Sequence, residues 1–356
     1  MSIEAAGEYH TDLELLYRQV KEAVSTLDFN KIWPGFEPLK FALYDNEKCF
    51  FDGQYTEKTD AFCANTSINF QGEQIAIWMV QEELKIPVLA SKLVHEMFHG
   101  YQTLEGWDCW PDEMEALYSY KYDAGNLSLK LGENELLISL LDRFDGDVLK
   151  RLLSSRKYRR DNFGYEFSYE TKVEEIEGTS NYVEWQVLKQ LDSEEADRLT
   201  AEMRKVMTTP EHLFPIRISC YFTGALMINA LVGAGLYSFD SAKRPVIGDI
   251  LDGDRLCAAG LRSGGLRIGE VTEAIEAFNG KTREIIEAAL ERNEIVLNGP
   301  LELVYVNIYN ARHLGGFLTS TYFLASREGN ENKTAAGDFV ILMRDEKTID
   351  KVYLWQ

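Results

Sequence analysis

The decapeptide LVHEMFHGYQ, residues 93–102, limits this 356-residue chain more than any other stretch, because it holds two of only five histidines one helical turn apart. It lies within PVLASKLVHEMFHGYQ, where apolar residues recur at three- and four-residue intervals, and that period predicts an amphipathic helix. At about 100° per residue, His95 and His99 project about 40° apart and Glu96 about 60° beyond His99. Ala90, Val94, Met97, Phe98 and Tyr101 gather on the other side. The helix thus has one wet face bearing two imidazoles and a carboxylate, and one dry packing face.

Imidazoles at i and i+4 can share one Zn²⁺ through ring nitrogens at about 2.0–2.1 Å, and the glutamate between them is placed to polarise a water on the metal, the HExxH arrangement. The alternative is a satisfied surface pair that matches by chance. Against it stand the sharp amphipathicity of the helix and an available third ligand. A catalytic zinc needs three protein ligands and one open position. Local completion of the metzincin kind would require Gly at 102 and His at 105, whereas the chain has Gln102 and Glu105. The NExxSD pattern is absent, and EMEAL offers Glu113 and Glu115 in a less suitable setting. VEEIEGTSNYVEW, residues 173–185, is better: on a helix, Glu174, Glu177, Asn181 and Glu184 share one face beside apolar Ile176, Val183 and Val187. Carboxylates so grouped repel one another unless a cation sits among them. Gly178 costs about 1 kcal/mol in a helix relative to Ala, which points to another backbone approaching closely there. The competing reading is a solvated acidic face with a tolerated glycine, and by spacing alone both Glu174 and Glu177 remain eligible.

HEMFHGYQ followed by EIEGTSNYVEW resembles the gluzincin-type zinc metallopeptidases, whose zinc helix reads HExxHxxQ and whose second helix reads EGxAxYxE. TSINFQGEQIAIWMVQEEL is similar to the strand pair leading into the zinc helix, and CYFTGALMINAL to the packed helix that follows. The likeness spans about residues 40–235, specific at the two motifs and loose elsewhere. It implies His95, His99 and Glu177 as Zn²⁺ ligands, Glu96 as general base, and peptide-bond hydrolysis as the reaction. Ser180 stands where the pattern usually has Ala, and Glu174 is the reserve ligand or an acceptor for a histidine N–H. An oxyanion donor is also required, for which Tyr182, Tyr221 and His313 are candidates, with Tyr221 and His313 carried as catalytic. QIAIWMV is either an edge strand that an extended peptide could join or a buried strand. Two other readings stay open: a zinc hydrolase of non-peptide amides or esters, and a non-catalytic binding protein stabilised by zinc. The latter would not need Glu96, and structural zinc sites usually use cysteines.

A formal charge of −21 disfavours nucleic acid and anionic membranes, which demand clustered Lys and Arg, and is otherwise read as an acidic surface kept for solubility; a peptide or protein substrate is what the resemblance implies. Five widely spaced cysteines with no C-x-x-C argue against a disulfide framework, and the N-terminus shows no signal-peptide pattern, so a cytoplasmic setting is expected. CYFTGALMINALVGAGLY, interrupted by Thr223, Asn229 and glycines, reads as a buried helix rather than a membrane span. Oligomeric state is open.

The expected fold class is α+β and zincin-like. A helix over about 10–26 precedes a small antiparallel sheet at 39–80, with a hairpin around Gln71-Gly72. Helical periodicity dominates from about 86, and two helices, 270–279 and 281–292, are expected on either side of Asn279-Gly280. After Asn298-Gly299-Pro300, LELVYVNIY, GFLTSTYFLAS, GDFVILMR and DKVYLW read as a four-stranded antiparallel meander, with REGNENKTAAG a mobile loop. The expected blocks are 1–85 (N-terminal helix and β subdomain), 86–240 (helical, zinc-binding), 241–298 (helical) and 299–356 (C-terminal β).

Overall fold

The computed structural model describes residues 12–237, 239, 247 and 267–355. Its contacts divide the chain into two units, not four consecutive blocks. The first comprises Met1–Trp110, Glu174–Arg204 and Gly224–Ile247; the second comprises Pro111–Val173, Lys205–Thr223 and Gly248–Gln356. Most of the expected helical block at 241–298 before residue 267 lies outside the described residues.

In the first unit, α1 (Leu13–Ser25) opens on Asp12, whose carboxylate accepts from the Glu14 and Leu15 N–H groups at 3.1 Å, and it buries Leu13, Tyr17, Val20 and Val24. A single turn, α2 (Phe29–Ile32), follows. The sheet holds β1 (Phe41–Tyr44), β2 (Cys49–Phe51), β3 (Gln54–Thr56), β4 (Thr66–Phe70) and β5 (Glu73–Met79), in the order β3-β2-β1-β5-β4. The β4–β5 hairpin turns through Gln71 and Gly72, both at positive φ (53° and 86°), as the sequence predicts. The sheet as a whole is mixed rather than antiparallel, because β5 docks parallel on β1, with Phe41 opposite Ala76 and Tyr44 opposite Met79. Each hairpin is specified by its own turn; the direction in which one hairpin joins the other is not. One face of the sheet buries Ala42, Tyr44, Phe51, Phe62, Phe70, Ile75 and Ile77. Against the sheet packs α3 (Ile86–Leu104), which also meets α1. Its Ala90, Val94, Met97, Phe98 and Tyr101 are all buried, the dry face expected from the periodicity, and Leu89 and Leu93 are buried besides.

The second unit begins with α4 (Glu113–Ser119), α5 (Ala124–Asp142), α6 (Gly146–Asn162) and α7 (Gly164–Val173). Asp112, Asp123 and Asp145 cap the first three through their carboxylates. Within this group Arg159, fully buried, reaches Glu133 at 2.9 Å and Asn126 at 2.8 Å and also pairs with Glu170, which Lys130 meets at 3.2 Å. The chain then returns to the first unit with a π-turn (Glu174–Gly178), α8 (Thr179–Leu191) and most of α9 (Ser193–Met207); a 3-10 turn (Pro210–Leu213) and the start of α10 (Ile216–Gly233) count with the second unit, the rest of α10 with the first, and α11 (Ile268–Arg292) with the second. By length and composition α10 could cross a membrane, yet 67 % of it is buried inside the protein. The break expected at Asn279-Gly280 does not occur. Val271, Ala274, Thr282, Ile286 and Ala289 form one buried stripe along α11, and that packing outweighs the poor local propensity of two residues.

The C-terminal sheet has seven strands rather than four: β6 (Ile295–Val306), β7 (Arg312–Leu314), β8 (Phe317–Ser320), β9 (Phe323–Glu328), β10 (Glu331–Ala336), β11 (Phe339–Met343) and β12 (Thr348–Leu354). All pairings are antiparallel, in the order β10-β9-β6-β12-β11-β8-β7. REGNENKTAAG is not a loop but the turn and second arm of the β9–β10 hairpin, held by backbone pairing and a Lys333–Glu328 ion pair at 2.6 Å. Its exposed polar residues hide the strand because an edge strand need bury neither face. Leu303, Val306, Leu318, Leu324, Ile341, Ile349 and Val352 form this sheet's core.

Candidate metal centre

The wet face of α3 meets the π-turn and α8, all within the first unit. A π-turn arises where a helix accommodates one extra residue, and it re-aims the side chains around it. Here another helix presses on it: a Cβ on Gly178 would stand 2.5 Å from the Gly224 Cα of α10, and one on Gly224 would stand 2.6 Å from the Glu174 carbonyl oxygen. Neither position admits a side chain, which accounts for a glycine in the middle of a helical run.

That packing delivers Glu177 to the two histidines. His95 Nε2 and His99 Nε2 lie 3.2 Å apart, and Glu177 Oε2 is 3.2 Å from His99 Nε2 and 3.7 Å from His95 Nε2. Four ligands at 2.0–2.1 Å from a tetrahedral metal are separated by about 3.3 Å, so these atoms outline one face of such a tetrahedron. The three residues form a group able to hold a metal ion.

The opposite ring nitrogens are also engaged. His99 Nδ1 lies 2.8 Å from Gln102 Oε1, with Ser180 Oγ at 3.3 Å, and Glu184 Oε2 stands 3.2 Å from His95 Nδ1. Gln102 Oε1 at His99 Nδ1 favours the proton on that nitrogen and leaves its Nε2 lone pair for a cation, whereas Glu184 meets His95 Nδ1 as an ion-pair contact without hydrogen-bond geometry. Gln102 also donates from Nε2 to the Ile176 carbonyl at 2.8 Å and to Thr179 Oγ1 at 3.0 Å, tying the histidine helix to the π-turn. Thus the residue that excludes one local way of completing the site instead clamps its two halves together.

Electrostatics follow from burying this many acids and bases together. Burial works against charging His95, but Glu177 and Glu184 at its two nitrogens, with Glu96 nearby, push its pKa up to about 10. Burial raises the Glu96 carboxyl; His95 and His99 oppose this, while Glu177 and Glu184 add to it. Glu184 is held below its ordinary value, since His95 and Lys92, the latter at 3.6 Å, outweigh the effect of burial. Three carboxylates around two imidazoles in a mostly buried pocket make a donor set suited to a dication.

Other residues singled out in the sequence are not members of this group. Glu174 is fully buried and outside the triad, because the π-turn breaks the common face that a regular helix would give it with Glu177. Glu105 is exposed at the C-terminal end of α3. Glu113 is engaged by Arg217 and Tyr169, and Glu115 is exposed, both in the second unit. Tyr182 packs among aromatic rings, 6.3 Å from Trp33 and 6.1 Å from Phe239, and burial pushes its hydroxyl up to about 12. Tyr221 and His313 belong to the second unit: the Tyr221 hydroxyl meets Arg217 and Tyr309 at 3.1 Å, and the His313 ring packs 4.7 Å from Tyr118. QIAIWMV is interior, flanked by β1 and β4, so the strand with a free edge beside α3 is β4.

Sequence reasoning gave no role to Glu184, Gln102 or Trp110. The first two are fixed letters of the motifs the chain resembles, the Q of HExxHxxQ and the last E of EGxAxYxE, and Glu184 also lies on the acidic face read from spacing. Trp110, 45 % exposed with its ring 6.2 Å from that of His99, carries no such signal. No protein-family model, curated protein or solved structure matches the chain.

Proposed function

We propose that this chain is a zinc-dependent hydrolase of the HExxH type that cleaves peptide bonds. The observation carrying the proposal is the triangle of His95 Nε2, His99 Nε2 and Glu177 Oε2, whose edges suit a tetrahedral ion and whose two imidazoles are each oriented from behind. Two nitrogens and one carboxylate oxygen are the donor set of catalytic rather than structural zinc, and the likeness to gluzincin-type metallopeptidases at both motifs agrees with it. Bound zinc would supply Lewis acidity and a nucleophile from water near neutral pH. Glu96, half-buried beside the triad, accepts the proton from the attacking water and returns it to the leaving nitrogen; its raised pKa suits both transfers. Glu184 and Gln102 keep the imidazoles aimed, Trp110 offers an exposed apolar surface next to His99, and β4 offers a free edge for an extended backbone.

Metal analysis of the purified protein beside Glu96→Gln, with peptide-library turnover on both, tests the reading. Wild type should hold one zinc per chain. Glu96→Gln should keep it and lose about 10²–10⁴-fold in turnover. Glu177→Ala should lose the metal while Glu174→Ala retains it. Undiminished turnover in Glu96→Gln would remove the assigned base. Turnover confined to esters or non-peptide amides would move the substrate class, and bound zinc with no turnover of any of these substrates would leave a binding protein.

A further inference from the structure

The loop that leaves α3 brings one aromatic ring back to the metal centre. Gly106, at φ 70°, closes the helix: its N–H donates to the Thr103 carbonyl at 3.1 Å, and the Trp107 N–H donates to the Gln102 carbonyl at 3.0 Å. These two bonds reverse the chain over the last turn of the helix. Trp107 anchors the reversal, buried with its ring 6.0 Å from that of Phe98 and 6.3 Å from that of Trp33. Trp110 follows, its ring 6.2 Å from that of His99, and all of these residues belong to the first unit. The indole N–H of Trp110 is spent on the Trp107 carbonyl at 2.9 Å, which fixes the ring on the loop. Of the chain's six tryptophans, it alone is exposed.

An indole whose N–H is committed offers a neighbour only contact area and a π face, and the face of the ring attracts cations. The surroundings share that preference. From Leu93 to Trp110 the chain has no Lys or Arg, while Glu105 and Asp108, both exposed, stand in the loop itself. The net charge of −21 adds a long-range attraction of the same sign. We infer that Trp110 is a specificity-determining residue, whose exposed ring receives an arginine side chain of the substrate next to the bond that is cleaved. This rests on the peptidase reading above, because a peptide held at His99 is what would bring a side chain onto a ring bordering His99. A guanidinium, planar and weakly hydrated, stacks on an indole better than an ammonium, so arginine ranks above lysine. Leucine or phenylalanine would gain contact area without the electrostatic part.

The probes are alanine-glycine octapeptides carrying one central Arg, Lys, norleucine, Phe or Glu. Each, dye-labelled, is titrated by fluorescence anisotropy into the full chain bearing Glu96→Gln, alone and combined with Trp110→Leu or Trp110→Phe; kcat/KM is measured on the chains that keep Glu96. The Arg peptide should bind about threefold to tenfold more tightly than the norleucine peptide and be preferred in kcat/KM by a similar factor, mainly through KM. Trp110→Leu should abolish the difference by weakening the Arg peptide alone, with zinc content and turnover of the norleucine peptide unchanged. Trp110→Phe should keep part of it, and should Trp110→Leu fail to fold, this partial loss confined to the Arg peptide decides. The inference is overturned by norleucine or Phe binding as tightly as Arg, by an Arg preference undiminished in Trp110→Leu, or by equal loss for every peptide, which is the mark of a structural role. If no peptide is cleaved, the peptidase reading falls, and the anisotropy titrations still decide whether Trp110 selects arginine.

Discussion

An imidazole binds a cation through whichever nitrogen its neighbours leave available, so Gln102 and Glu184 matter to the metal centre as much as the histidines they face. Gln102→Leu keeps the approximate bulk but removes the acceptor at His99 Nδ1 and the donations to Ile176 of the π-turn and Thr179 of α8. Its affinity for zinc, measured by competition with a chromophoric chelator, should fall by about 10–100-fold, and an unchanged affinity would mean His99 is aimed by other contacts. His95, Glu96 and His99 are legible in the sequence because one regular helix relates them. Glu177 becomes legible only through the second motif, since on a regular helix Glu174 shares its face; the π-turn separates the two, and nothing in a periodicity announces a π-turn. Glu184 is visible on the same face as Glu177, but its pairing with His95, like the place of Trp110 beside His99, depends on how separate parts of the first unit fold against one another.

Among the elements, the π-turn and its contact with α10 set the position of Glu177. Gly178→Ala would bring a methyl to 2.5 Å from the Gly224 Cα, where only backbone can give way. Overpacking of this kind costs about 1–3 kcal/mol, read as a fall in the urea midpoint at constant slope, and it should weaken zinc binding because Glu177 moves with the turn. A destabilised variant with undiminished zinc affinity would show that the turn and the ligand are not coupled. The glycine was readable as a sign of close approach, whereas its partner Gly224 was not, since either glycine alone looks like a weak point in a helix. The same limit governs the sheets. Turn residues identify the β4–β5 hairpin, but the parallel pairing of β1 with β5 and the polar β10 leave no mark on local alternation. In α11 the buried stripe passes through Asn279-Gly280, so local breaker residues mislead when tertiary packing spans them.

At the scale of the whole molecule, composition and periodicity support an α+β chain with a helical block and a C-terminal antiparallel sheet, and both are present. The division into units follows contacts between distant segments, and no linker composition marks it. All three candidate ligands lie in the first unit, so on the proposed function metal removal should be felt there first. With free zinc at about a hundred times its Kd, binding contributes about 2.7 kcal/mol. Chelation should therefore speed hydrogen exchange in α3 and α8 while leaving the amides of the β6–β12 sheet unchanged; uniform acceleration throughout would argue that the two units open together. The threading of the chain also sets an order on biosynthesis. The ribosome delivers the histidine helix first and then the whole Pro111–Val173 segment of the other unit before Glu177 appears, roughly 80 residues later. At about 5–20 residues per second, that is a wait of about 4–16 s in which the nascent chain shows two imidazoles and no third ligand. On the proposed function, metal capture would be deferred until the second motif has been made, and a truncated nascent chain would carry the motif HEMFHGYQ without the means to close a site around it.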